Sequence, residues 1–553
     1  MRWVGERAEV ILRTPRLCPR GPRSDSPPAA PAMNDASVKE AASAWVAPQR
    51  EQWRWWIAMV SVVVLGFGLR AAYHHGGYGH PDETITTEVV GHMRSSGDWD
   101  TNWAKATNLS VDLRYDQYNF SSHLLATYGF YRFVKVVPGT LAWRSEDAGF
   151  WVYRFFSVVL ATLTVWQALR LAERVGGRGT ALGAGLLVAV AVQLVQDAHY
   201  SRPEAFVTMV TLAVVGCCWP REKLSLLGVA CGAFGVGLLV ACKVSMLVLV
   251  WMPLLPWLAG RRHATVRARA VALVLVPLGL IGGFFVGAPG AIANPAAFVN
   301  GVEFLMNQYS GQHPPHSHLD GRVVADMLAA YYVVTLGWPV LACAGLGVGV
   351  LAWRRRWGEL VVLAGPVLLF AGYFATRGVF FERNLSHVLP LFLILAAMGA
   401  MVGVEVVGGW LRRRFIAVAT LSAVLLLGPS LLLTLPLLRT EFSGEGSNLH
   451  MAFEADLKAK HPGVAWKEVS LLNDGPLAEL AERFKATPAP VLLRITDFND
   501  EWNAYNLTLF AARFEAVLVA DYPGTFARVP VCTLHTYHSP NDRYFLVTGL
   551  KLR

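Results

Sequence analysis

The stretch "WVYRFFSVVLATLTVWQALRLAERVGGRGTALGAGLLVAVAVQL", from Trp151 to Leu194, decides the fold class of this chain. Its two apolar runs, at about 152–171 and 180–196, approach the ~20 residues that cross the hydrocarbon core of a bilayer. Arg174 and Arg178 lie between them. Basic residues in a short loop between apolar runs are typical of the cytoplasmic side. The stretch therefore predicts two membrane helices joined on the cytoplasmic face.

The composition of the whole chain agrees with a membrane protein. Of its 553 residues, 54% are hydrophobic and only 16% are charged, and the mean hydropathy is +0.39. A soluble globular protein carries about 25% charged residues. The formal net charge of +10 does not indicate a nucleic-acid partner, because the basic residues punctuate the apolar runs instead of clustering on a soluble domain.

The seven cysteines do not form a recognisable framework. Five of them lie in or beside apolar segments, and no Cys-x-x-Cys occurs. This usage argues against a disulfide scaffold and against metal or redox chemistry through thiols.

Apolar runs predict an α-helical polytopic membrane protein with about eleven spans. Their approximate ranges are 53–72, 152–171, 180–196, 203–219, 225–241, 244–259, 270–288, 328–352, 358–376, 385–409 and 415–437.

Three regions are predicted along the chain. Residues 1–50 are rich in Arg, Pro, Ala and Ser and predict a disordered cytoplasmic tail, with Met33 as an alternative start. Residues 51–438 form the membrane region, with long polar loops at 73–150 and 289–327. Residues 439–553 predict a small soluble α/β domain, with strand-like "PVLLRITDF", "FEAVLVADY" and "RYFLVTGL" and a helical "PLAELAERFKA".

Charge asymmetry predicts the orientation of the spans. One set of short loops holds most of the basic residues, whereas the opposite set holds few, so the first set is assigned to the cytoplasm. The N-terminus is then cytoplasmic, and both long loops and the C-terminal domain lie outside. The basic set is Arg174, Arg178, Arg221, Lys223, Arg261, Arg262, Arg267, Arg269, Arg354 to Arg356 and Arg412 to Arg414.

Two acidic positions could carry chemistry at the outer face. Asp82 and Glu83 follow Pro81 just after the first span, and Glu204 follows Arg202 and Pro203. Acids after a proline can simply cap a helix and suit its dipole. Alternatively, these carboxylates have a function. An ionised group near lipid is costly, so acids close to a bilayer tend to face protein or water, where a carboxylate could act as a general base or bind a metal ion.

The order of these elements resembles the GT-C glycosyltransferases that use polyprenyl-phosphate sugars. The likeness is closest to dolichyl-phosphate-mannose protein mannosyltransferases and lipid A aminoarabinose transferases, and it covers about 55–410. The "P-P" of the family's substrate segment is missing, Asn384 replaces an aromatic residue, and the C-terminal domain has no match. The matching segments are "HPDE", "YNFSSHLLATYGFYRF", "WVYRFFSVVLATLT" with Arg154, "SRPEAFVTM", "LLVACKVSMLV" with Lys243, and "ERNLSHVLPLFLILAA".

The resemblance implies an inverting transfer at the outer face. The Ala- and Arg-rich composition favours a bacterial inner or plasma membrane. A sugar would move from a polyprenyl-phosphate donor to a hydroxyl of an acceptor lipid, glycan or protein. Asp82 would be the general base. Glu83 and Glu204 would orient neighbouring groups of the site. A divalent metal ion bound by these two acids is the alternative, but no residue is assigned as a metal ligand.

Outer-side cations are the candidates for the donor phosphate. Lys243, Arg377 and Arg383 could neutralise phosphate oxygens, or could be anchors that extend to lipid headgroups. His80, Arg202 and His313 are predicted to line the site. His313 belongs to the loop "YSGQHPPHSHLDGR", whose histidines either bind zinc or are simply solvated.

Two other functions remain open at this stage. A transporter or flippase of lipid-linked sugars would also need many helices and phosphate-binding cations, but transporters hold substrate near the midplane, often between repeats. No internal repeat is visible, and the acids cluster at one face. A non-catalytic scaffold acting through residues 440–553 is the third interpretation.

Overall fold

The computed structural model describes most of the chain from residue 35 onward. The candidates His80 and His313 lie outside the described residues. The described ranges are 35–74, 82–111, 113–137, 149–260, 263–312, 321–377, 381–410, 415–439, 446–469, 474–486, 489–495, 514–523 and 543–552.

Helices dominate these ranges, and we number them in chain order. They are α1 (Asp35–Ala71), α2 (Glu83–Ser96), α3 (Ser121–Val136), α4 (Gly149–Val190), α5 (Val192–Ala198), α6 (Pro203–Cys217), α7 (Leu226–Cys242), α8 (Leu255–Gly260), α9 (Val266–Gly287), α10 (Gly290–Ala293), α11 (Pro295–Asn307), α12 (Gly321–Leu336), α13 (Trp338–Trp353), α14 (Trp357–Ala375), α15 (Leu389–Trp410), α16 (Phe415–Leu437), α17 (Gly446–Lys460) and α18 (Asp474–Ala486).

Six helical segments among the described residues are long and apolar enough to cross a membrane, or seven if the bent pair α12–α13 is one span. They make the chain an integral membrane protein. The predicted number of eleven spans is not confirmed, because several predicted spans are short helices. Helices α6 and α7 have 15 and 17 residues, and 244–259 contains two 3-10 turns before α8.

One glycine separates two of the predicted spans, and another interrupts a third. The spans 152–171 and 180–196 fall largely within α4, which breaks at Gly177 with a φ of 79°. The span 328–352 bends by 105° between α12 and α13, where Gly337 has a φ of 81° and is followed by Trp338 and Pro339. A left-handed glycine and a proline together stop one helix and start another in a new direction.

The buried core centres on α4 and α15, whereas α9 and α16 are mostly exposed and suit contact with lipid. Helices α7 and α9 pack backbone to backbone. A Cβ at Gly283 would lie 2.0 Å from the Phe234 carbonyl oxygen, and one at Gly237 would lie 2.2 Å from that of Leu280. Small residues at membrane helix interfaces allow this close approach.

The C-terminal region contains a mixed four-stranded sheet. Its strands are β1 (Ala465–Val469), β2 (Val491–Ile495), β3 (Phe514–Pro523) and β4 (Arg543–Leu552), in the order β1-β2-β4-β3. The β1–β2 pair is parallel and the other two are antiparallel. The three predicted strands and the predicted helix correspond to β2, β3, β4 and α18, while β1 and α17 were not predicted.

Candidate active site

Helix α2 begins directly after Asp82 and sets the two adjacent acids in different surroundings. The Asp82 side chain makes no capping hydrogen bond to α2, so the simple capping interpretation does not describe it. It is 39% exposed, whereas the Glu83 side chain is 2% exposed. The Asp82 carboxylate is therefore accessible to a ligand, whereas the Glu83 carboxylate is enclosed by protein.

Glu83 is the centre of a buried ion pair. Arg154 on α4 donates from Nε to Oε1 at 2.9 Å and from Nη2 to Oε2 at 2.7 Å. Ser201 donates to Oε1 from its backbone N–H at 2.6 Å and from its hydroxyl at 3.1 Å. A forked arginine and two further donors satisfy this carboxylate, so it joins α2, α4 and the turn before α6.

A second buried network surrounds Glu204 in the first turn of α6. Lys243 donates to its Oε1 at 2.8 Å, and Arg202 Nε lies 3.4 Å from its Oε2. Arg202 also donates from Nη2 to Asp197 Oδ1 at 3.2 Å. Asp197 Oδ1 accepts a further bond, from Gln193 Nε2 at 3.0 Å. Positive and negative side chains alternate along this network, and each charge is paired with an opposite one. An unpaired charge buried at this position would be strongly disfavoured.

A cavity of about 280 Å³ opens beside these networks. Its charged wall holds two carboxylates and three cations: Asp82, Glu204, Lys243, Arg377 and Arg383. The segment before α3, the segment around α11 and the residues at and after the end of α14 supply apolar and aromatic side chains. Among them are Trp103, Phe120, Val302, Leu305, Met306, Tyr309, Tyr373, Phe374 and Phe381.

Aromatic rings position the two arginines at the cavity. The Arg383 guanidinium lies 4.2 Å from the ring centre of Phe381, and that of Arg377 lies 4.2 Å from the ring centre of Tyr373. Arg383 also donates from Nη2 to Asp82 Oδ2 at 3.2 Å. Cation–π stacking limits the swing of a long side chain, so both guanidinium groups stay near the open space.

His123 on α3 belongs to the buried side of the site. Its Nε2 lies 3.4 Å from the Thr86 hydroxyl, and its ring packs against Phe206 at 6.1 Å between centres. Burial lowers the pKa of His123 to about 4, although the charge of Glu204 acts in the opposite direction. The imidazole is therefore neutral at neutral pH.

The structure brings five of the predicted site residues together in the cavity, namely Asp82, Glu204, Lys243, Arg377 and Arg383. Glu83 and Arg202 are buried behind this wall. Sequence reasoning did not assign several residues that shape the site. These are Asp197, Ser201, Tyr309 and Asn384, of which Tyr309 donates to Asn384 Oδ1 at 2.9 Å.

No group of three or more His, Cys, Asp or Glu side chains is arranged to hold a metal ion within the described residues. The acids of the site instead pair with Arg154, Arg202, Lys243 and Arg383.

No family model and no curated protein matches the chain. It is similar to the crystal structure of ArnT from Cupriavidus metallidurans bound to undecaprenyl phosphate, with a TM-score of 0.47 and 14% identity, over 89% of this chain and 98% of that one. It is also similar to the archaeal oligosaccharyltransferase AglB from Archaeoglobus fulgidus in complex with an inhibitory peptide and a dolichol-phosphate. That TM-score is 0.46 at 11% identity, over 85% of this chain and 70% of AglB. Both are GT-C fold enzymes, the class that the sequence resembles.

Proposed function

We propose that this chain is a membrane glycosyltransferase that moves a sugar from a polyprenyl-phosphate donor to an acceptor hydroxyl at the outer face. The observation that carries the proposal is the exposed carboxylate of Asp82 in a cavity that also holds Lys243, Arg377 and Arg383. A base beside a cluster of cations suits a reaction in which a hydroxyl loses a proton and a phosphate leaves.

The three cations could bind the phosphate of the donor, which is the leaving group of the reaction. A guanidinium offers a planar fork to phosphate oxygens, and an ammonium offers a point charge. Arg377 and Arg383 stack on aromatic rings, and Lys243 pairs with Glu204 and lines the cavity. Together they would neutralise the charge that develops on the phosphate as the sugar departs.

The chemical step is a single displacement. The acceptor oxygen forms a bond to the anomeric carbon while the bond from that carbon to the phosphate oxygen breaks, and the electron pair leaves on the phosphate. The acceptor proton passes to the Asp82 carboxylate. Attack opposite the leaving group inverts the anomeric centre, and general-base help of this kind contributes about 10²–10⁴-fold to the rate.

Apolar side chains on α11 fit the hydrocarbon part of the donor. Val302, Leu305 and Met306, all on α11, line the cavity together with the cations. A ligand with a charged phosphate and an isoprenoid tail would match both parts of this lining.

Glu83 and Glu204 act in this proposal as positioning residues. Each carboxylate is buried and held by cations. Glu83 would fix the start of α2, and therefore Asp82, relative to α4. Glu204 would fix the Lys243 ammonium at the cavity wall.

The test follows labelled polyprenyl-phosphate sugars in membranes that contain wild type, Asp82→Asn or Glu88→Gln at equal expression. Glu88 is a half-buried acid on the same helix that does not line the cavity, so its variant is the matched control. We expect wild type and Glu88→Gln to consume one donor and to transfer its sugar. Asp82→Asn should be slower by about 10²–10⁴-fold.

Other outcomes separate the rivals. A donor that crosses the membrane with its sugar still attached would favour the transporter. Equal transfer by Asp82→Asn and wild type would remove Asp82 from the role of base.

A further inference from the structure

A second polar groove lies between α2 and α3, away from the proposed catalytic cavity. Its volume is about 470 Å³, and its lining residues are Gly91, Arg94, Ser95, Tyr128, Tyr131, Arg132, Lys135 and Val136. Arg94 is eleven residues after Glu83 on α2, which at 1.5 Å per residue places it about 16 Å along the helix. The groove is therefore at the far end of α2 from Asp82.

Three cations converge on the aromatic floor of this groove. The Arg94 guanidinium and the Lys135 ammonium each lie 4.8 Å from the ring centre of Tyr131. Arg132 donates from Nη1 to the Tyr128 hydroxyl at 3.2 Å. No carboxylate is among the groove's lining residues, although Glu88 lies in the adjoining groove that shares Arg94. Like charges held this close would favour an anion between them.

One residue of this floor carries a buried polar atom. The Tyr131 side chain is buried, and its hydroxyl has no hydrogen-bond partner within the described parts of the chain. A phosphate oxygen could accept the hydrogen bond that this hydroxyl can donate. A buried polar group without a partner is costly, so a bound anion would relieve that cost.

The surroundings indicate where the anion comes from. Phe133 and Val136 are 61% and 74% exposed and alternate on α3 with Arg132 and Lys135. A helix that presents apolar and basic side chains together is typical of a segment lying at an anionic membrane surface. We propose that this groove binds the phosphate of an anionic phospholipid headgroup and so fixes the α2–α3 segment on the bilayer.

The proposal does not depend on the catalytic role of Asp82. The full chain, purified in a neutral detergent, is titrated with phosphatidylglycerol or with zwitterionic phosphatidylcholine, and lipid adducts are counted by native mass spectrometry. The wild type should bind phosphatidylglycerol more tightly than phosphatidylcholine. The Arg132→Gln/Lys135→Gln variant should bind it at least about tenfold more weakly, since each basic residue near an anionic surface matters on the order of a fewfold.

Two further variants separate charge from damage to the fold. Arg114→Gln/Lys485→Gln removes the same charge from exposed positions outside the groove and should bind like wild type. The swapped pair Arg132→Lys/Lys135→Arg keeps the charge and should also retain binding.

Either of two results would overturn the proposal. The first is equal binding of the two lipids, or equal binding of phosphatidylglycerol by wild type and the doubly neutralised variant. The second is glycerol 1-phosphate binding in the groove as tightly as the lipid, because the occupant would then be a soluble anion and not a headgroup.

Discussion

Asp82 lies on the wall of an open cavity with 39% of its side chain exposed, whereas the next residue, Glu83, is buried with both carboxylate oxygens bonded. The two acids open the same helix, yet one can meet a ligand and the other cannot without disrupting its pair with Arg154. Adjacent carboxylates can therefore divide a site into a reactive part and a supporting part. The same division separates the cavity-facing Arg383 from the buried Arg202.

The largest effect on stability is expected from a substitution in the buried, supporting part of the site. Glu83→Gln leaves Arg154 buried with an uncompensated charge, and breaking a buried pair in this way costs about 3–5 kcal/mol. We expect the thermal midpoint in detergent to fall sharply for Glu83→Gln and to change little for Glu88→Gln.

A double variant sharpens the same point. Glu83→Leu/Arg154→Met removes both charges and should be more stable than Glu83→Gln, because no buried charge is left alone. Equal midpoints for Glu83→Gln and wild type would show that the buried pair does not support the fold.

An intermediate effect, on catalysis, is expected from a substitution in the part of the site that lines the cavity. Arg383→Gln removes the stacked guanidinium, and hydrogen bonds to charged groups contribute about 1.5–3 kcal/mol. The value of kcat/KM for the donor should therefore fall by roughly tenfold to a hundredfold, with the thermal midpoint near that of wild type.

Two comparisons accompany that measurement. Arg383→Lys should recover part of the loss, since it keeps the charge but not the planar fork. Arg114→Gln, at an exposed arginine that donates to the Thr107 carbonyl, should leave kcat/KM unchanged. If it lowers kcat/KM as much as Arg383→Gln does, the effect is one of general surface charge.

The smallest effect concerns pH and the buried side of the site. The folded protein keeps His123 neutral down to about pH 4, while the unfolded chain takes up a proton near pH 6.5. Because the unfolded chain then binds more protons, stability falls as the pH decreases from 6.5 towards 4. This histidine accounts for about 1 kcal/mol between pH 6.5 and 5.5.

The pH prediction is measured against a variant. His123→Gln should show a shallower loss of thermal midpoint over that interval than wild type, because the other histidines are the same in both proteins. Parallel curves would indicate that His123 is not held neutral.

The sequence located the open part of the site better than the buried part. Charge asymmetry predicted that Asp82, Glu204 and Lys243 lie on one side of the membrane, and the structure brings all three to one cavity. The resemblance implied that Asp82 is the reactive acid, but the residues alone did not show which acid faces the cavity, because that depends on how α2 packs beside α4. A single residue of helix rotation would exchange the environments of Asp82 and Glu83.

The unpredicted residues depend on long-range packing. Tyr331 donates to Gln193 at 2.5 Å across 138 residues of sequence, and no local pattern indicates such a pair. The count of eleven spans is not confirmed for a related reason: hydropathy counts apolar residues but does not reveal that Gly337 turns the chain within an apolar run.

The most direct measurement is sugar transfer per folded molecule for Asp82→Asn and Glu83→Gln, normalised by the folded fraction. We predict that Asp82→Asn retains the thermal midpoint of wild type and loses transfer by about 10²–10⁴-fold. Glu83→Gln should lose stability, and the molecules that remain folded should retain more transfer than Asp82→Asn. If Asp82→Asn transfers sugar like wild type, or if it loses transfer only in proportion to its folded fraction, Asp82 is not the base.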